Sequence, residues 1–169
     1  MSELRHLAET IEKHFVTAPA SSFLHFVVVS DGLSGGQAAQ VPQAGFNSIW
    51  AITNHMAFWM DATRTAFLGA DVDLAAWGLA EIGKGWPPVG VVSDEAWLAA
   101  RQRAFDCCQA LAAVIPTLDT DTLHLPQQRL YGGTPHQAIL SIYGHNCYHT
   151  AEILTVRHML GLWVDHEWA

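Results

Sequence analysis

Histidine is the residue whose type and spacing can do chemistry in this chain, at 10 of 169 positions. His145 and His149 stand one turn apart on a segment whose apolar residues, Ala138, Ile142, Ile153, Val156 and Leu160, recur at intervals of three and four. On a helix such a pair lies about 5–6 Å apart at Cβ, close enough for two imidazoles to share one metal ion. Spacing alone is a weak signal, because ten histidines placed at random give about 0.6 pairs of this kind. The side of the helix strengthens it. Two rings on an apolar stripe need partners, since burying them unpaired costs a few kcal/mol each. His55 answers that need: it lies between Ile52 and Trp59, three residues after one and four before the other, and so faces the same core. Three neutral imidazoles from two helices make a site with an open coordination position, which favours catalysis or ligand binding over a purely structural ion. The plainer alternative is three core histidines bonded to one another or to water.

The elements that must carry these residues read as helices. The first has Ser2 as N-cap and Leu4, Leu7, Ile11 and Phe15 as its stripe; Pro19 breaks it, and a continuation through Phe23 and Phe26 ends near Gly32. Val27-Val28-Val29 on its own suits a strand, but three residues are little support for one. A loop over 33–46 holds one helical turn near Gln37. The second long helix spans about 47–68 and stops at Gly69, with Ile49, Ile52, Met56, Trp59, Met60, Thr63 and Phe67 as its stripe. Residues 70–92, with Gly83, Gly85, Pro87, Pro88 and Gly90, form the longest irregular connection, and a connection of that length in a compact domain is more often functional than idle. Ser93 caps a third helix to about residue 115, with Trp97, Ala104, Cys108, Leu111 and Ile115 inward. Thr134-Pro135-His136-Gln137 is a capping box that opens a fourth helix, running to about Leu160 before Gly161. The fold class expected is all-α, a single domain over 1–169 built as an up-down four-helix bundle with long crossover loops.

Composition narrows the function. Half the residues are apolar and 14% are charged, which excludes a disordered chain. A net charge of −8 disfavours a phosphate-binding surface, so neither nucleic acid nor anionic membrane is an expected partner. Three cysteines, two of them the adjacent Cys107 and Cys108, do not make a disulfide framework. The N-terminal residues lack an apolar signal region and no apolar run is long enough to span a bilayer, so a cytoplasmic location is expected.

Two segments resemble a known family. Asn47-Ser48-Ile49-Trp50 leading to Asn54-His55-Met56-Ala57-Phe58-Trp59, and His145-Asn146-Cys147-Tyr148-His149 leading to Leu160-Gly161-Leu162-Trp163, are similar to the DinB-like (DinB/YfiT) metalloenzyme superfamily, as is the Ser93-Asp94-Glu95-Ala96-Trp97 helix start. The resemblance covers nearly the whole chain. It implies a four-helix bundle, a homodimer, and a divalent metal (Zn or Ni first, Fe or Mn as alternatives) held by His55, His145 and His149. It further implies a metal-dependent enzyme acting on small molecules, of the thiol-dependent S-transferase type with a low-molecular-weight thiol. The alternatives are a metal-dependent hydrolase or a non-catalytic homodimer that binds metal or a small molecule. A three-histidine ion supports either chemistry, because it brings a coordinated water towards a pKa of about 7 or holds a thiol as thiolate. One departure stands out: where members often have Gly-Gln after the second histidine, this chain has Ala151-Glu152. Glu152 falls three residues beyond His149, where it can be the catalytic proton carrier, an acceptor for an imidazole N–H, or a fourth ligand.

The other candidates have plainer readings. Cys147 lies about 200° around the helix from each flanking histidine and reads as packing, as do Cys107 and Cys108. Trp50, Trp59, Trp97 and Trp163 read as core, with an aromatic near the site able to line a substrate pocket. His6, His14, His25, His124, His136, His158 and His166 default to the surface, and His166 and Trp168 belong to a tail able to fold over the site mouth or a partner subunit.

Overall fold

A computed structural model describes residues 3–17 and 24–164. Among them the protein is all-α, with several long helices packed together and no strand. In chain order the helices are α1 (Glu3–Glu12, continued by a wider turn over Lys13–Thr17), α2 (Phe26–Val29), α3 (Gly35–Ala39), α4 (Ile49–Phe67), α5 (Asp94–Val114) and α6 (Pro135–Met159). Ser2, Pro19, Ser21, Phe23, His166 and Trp168 lie outside the described residues.

Local chemistry sets the helix ends where the periodicity predicts them. Ser48 Oγ accepts from the Ala51 N–H and Ser93 Oγ from the Ala96 N–H, both at 3.1 Å. Ser34 with Gln37, and Thr134 with Gln137, form reciprocal capping boxes that open α3 and α6. Gly69 and Gly161 follow α4 and α6 at φ of 74° and 71°, the left-handed backbone in which a side chain is strained.

Tertiary contacts decide the short segment. Val27-Val28-Val29 is helical, against its β-branched preference, because two guanidiniums hold its carbonyl end. Arg157 on α6 donates to the carbonyls of Val29 (2.9 Å) and Asp31 (2.7 Å), and Arg101 on α5 to that of Val27 (2.9 Å). Positive charge at a helix C-terminus is favourable, and here it ties α2 to two long helices.

α4 packs against both α5 and α6, and α1 packs on α5. The stripes of α4 and α5 are buried largely as expected, with Trp50 against Trp97 (centroids 5.7 Å apart), and Phe15 of the wider turn stacks on Phe26 of α2 (4.3 Å). Trp163 departs from its core assignment and is exposed, whereas Trp77 and His25 are buried. α6 departs too. Its most buried face runs through Ile139, Ile142, Asn146, His149, Ile153 and Val156, while Ala138 and His145 are only half-buried. The reason is a cavity of about 620 Å³ between α4 and α6, lined on the α6 side by Ala138, Ile142 and His145. No helix among the described residues is long and apolar enough to cross a membrane.

Candidate metal centre

His55 from α4 and His145 and His149 from α6 come together as the sequence predicts, with one ring nitrogen of each within 4.8 Å of the others. His55 and His149 are only 8% and 6% exposed. His55 sits two helical turns into α4 from the Ser48 cap, so the capping and the α4–α6 packing together fix where its ring emerges.

Neighbours set the tautomers. His55 Nδ1 bonds the Gly85 carbonyl, which can only accept, so Nδ1 carries the hydrogen and Nε2 keeps its lone pair. His149 Nδ1 stands 2.6 Å from Glu152 Oε2, and a carboxylate likewise leaves the lone pair on Nε2. The third ring faces the first, with His145 Nε2 3.1 Å from His55 Nε2, while His145 Nδ1 is buried without a hydrogen-bond partner. Burial pushes His55 down to about 4, against the pull of the Gly85 carbonyl and with a further push from His149. Burial, followed by the charges of His149 and His55, brings His145 to about 4. Both rings are therefore neutral at pH 7, the form that binds a metal.

These residues fit a divalent ion. Nitrogens about 2.1 Å from a tetrahedral centre stand about 3.4 Å from one another, close to the His55–His145 separation. The donor set is the observation that fits an ion: three imidazoles converge, and His55 and His149 each hold Nδ1–H in a hydrogen bond and so leave Nε2 free. Glu152 is not one of the converging groups; its Oε2 is engaged with His149.

Two further residues of this site lie in the 70–92 connection. Besides the Gly85 carbonyl on His55, Trp86 stacks on the same ring (centroids 3.8 Å apart, planes 12° from parallel) and stands edge-on to His149 at 6.0 Å. The connection is pinned at several points: Asn54 Nδ2 donates to the Pro88 carbonyl at 3.1 Å, Trp77 Nε1 to Asp61 Oδ2 at 3.0 Å, and the Arg103 guanidinium covers the Trp77 ring. Glycine at residue 85 permits this approach, because a Cβ there would stand 2.7 Å from the Trp59 ring and force one of the two to shift. The run Gly83-Lys84-Gly85-Trp86-Pro87-Pro88 is the signal that points to a built loop, but nothing in it says which helix the loop covers.

A consequence follows for Gly85→Ala. The added methyl displaces the loop from Trp59, and His55 loses the acceptor that orients it. Since loss of a partner that orients a metal-ligating histidine typically weakens affinity 10–100-fold, a fall of about that size is expected in a Zn²⁺ competition titration. Unchanged affinity with an unchanged melting temperature would show that the loop does not position the ring.

The remaining candidates resolve as packing. Cys107, Cys108 and Cys147 are free thiols, and burial, with Asp61 adding to it, raises Cys107 to about 12, far from a reactive thiolate. His25 is buried with Nδ1 3.3 Å from the His14 carbonyl, and the two rings lie 5.1 Å apart, away from the three-histidine cluster.

Compared with family models, with curated proteins and with solved structures, the chain finds no match.

Proposed function

We propose that the protein holds one divalent metal ion on His55, His145 and His149 and uses it on a small organic molecule. The single observation that carries this reading is the convergence of three ring nitrogens, two of them freed by Nδ1 hydrogen bonds, beside an open cavity. The resemblance to DinB-like metalloenzymes supports it, and with it the up-down arrangement of the four long helices and a homodimer. A thiol-dependent transferase is the reaction type we favour, with a low-molecular-weight thiol as partner; a hydrolase needs the same open ion. When bound, the ion, Zn or Ni first, supplies the Lewis acidity that makes a thiol or water nucleophilic near neutral pH.

The residues of the chain do the rest. Gly85 and Glu152 each hold an Nδ1 hydrogen, so that His55 and His149 turn Nε2 towards the shared centre. Trp86 covers the His55 ring and limits water on that side. Glu152, still in contact with solvent through its partly exposed carboxylate, is placed to orient His149 and to carry a proton outwards. Glu152→Gln separates these roles. Orientation alone predicts retained metal with affinity reduced about 10–100-fold. A ligand role predicts loss of the ion, and a proton-carrying role predicts full metal with lost turnover in assays pairing a thiol with an electrophile.

A further inference from the structure

The cavity between α4 and α6 has walls that choose an occupant. Its α4 side is made by Ala62 and Ala66 on successive turns, facing Ala138 and Ile142 on α6; three of these four stop at Cβ, and the missing side-chain volume is the opening itself. Val72 and Leu74 from the long connection close a third wall.

Most polar side chains along it are already engaged. Thr63 Oγ1 donates to the Trp59 carbonyl at 2.8 Å, and Thr134 Oγ1 and Gln137 Oε1 accept backbone N–H groups in the capping box of α6. The lining's two opposite charges, Arg129 and Asp71, pair with each other at 2.8 Å, so the mouth carries no net charge to attract an anion or a cation. Tyr131 stands mostly in solvent. The other polar groups gather towards one end, where the exposed Ser141 lies one turn before the half-buried His145 of the three-histidine cluster.

We propose that this cavity takes an uncharged, apolar-bodied small molecule, inserted with its single polar head at the Ser141–His145 end. The walls gain by excluding water from hydrocarbon, and their few polar side chains are too sparse to match the many hydroxyls and amides of a sugar, a nucleotide or a peptide backbone. The placement of the head beside the ion rests on the metal reading above; the choice of an apolar body does not.

Two fluorescent probes with the same skeleton test the body. Uncharged N-phenylnaphthylamine is expected to bind the full chain saturably at one site, and anilinonaphthalene sulfonate, which adds one negative charge, at least about tenfold more weakly. Ala66→Leu and Ala138→Leu, at half-buried positions that tolerate size, should each weaken the neutral probe at least about tenfold while Zn²⁺ uptake is unchanged. Equal affinity for the two probes, or neutral-probe binding unmoved by both leucines, would overturn the proposal. Octanethiol tests the head: it should displace the probe from Zn²⁺-loaded protein at a concentration at least about tenfold lower than from His149→Ala. Equal displacement would overturn the placement of the head. Absence of Zn²⁺ uptake with probe binding intact would instead defeat the metal reading and leave the apolar cavity supported.

Discussion

His149→Ala is expected to abolish stabilisation by metal while leaving a folded chain. The ion joins α4 to α6 and the site does not exist in the unfolded chain, so at free metal 100-fold above the dissociation constant it stabilises the native state by about 2.7 kcal/mol. For a chain of this length that amounts to a rise of about 5–10 °C in melting temperature, read as metal-loaded against metal-free protein. The rise should vanish in His149→Ala and also in His55→Ala and His145→Ala. It should persist in Cys147→Ala, whose thiol is not among the converging groups. Comparing shifts within each variant removes whatever the lost ring does to packing. A rise of equal size in His149→Ala would place the bound metal elsewhere.

The second large effect is on the metal-free protein in acid. His55 and His145 are both held at about 4, against 6.5 for an ordinary imidazole. Between those values the unfolded chain binds more protons at these rings than the native chain does, so native stability is complete above about pH 6.5 and falls as the pH drops towards 4. The slope of unfolding free energy against pH should approach the uptake of two protons near pH 5, and His55→Gln should remove about one of them. A stability unchanged from pH 6.5 to 4.5 would contradict the burial of these rings. The same depression moves proton competition at His55 and His145 below the pH of about 6 expected of ordinary imidazoles.

Features governed by neighbours in sequence were legible, and those governed by distant contacts were not. The Thr134 capping box and the His-x3-His spacing of α6 depend on residues within one or two turns, and both appear at those residues in the fold. That His55 would face them required only that both stripes share one core. The exact face of α6 was not legible: Asn146 and Arg157 are buried and His145 only half so, because a cavity lies where the apolar stripe implies a continuous core. Val27-Val28-Val29 is helical through guanidiniums from residues 101 and 157, which no local pattern contains. Gly85 and Trp86 escaped for a similar reason. An irregular loop has no periodicity to give it a face, and only the packed molecule brings its carbonyl to His55.

Metal stoichiometry tests the central claim most directly. The chain, purified without a metal-affinity tag, loaded with Zn²⁺ and dialysed, should carry about one ion per chain by elemental analysis, with none retained in His145→Ala. A wild-type chain that retains no metal, or a variant that retains as much as the wild type, would contradict the account.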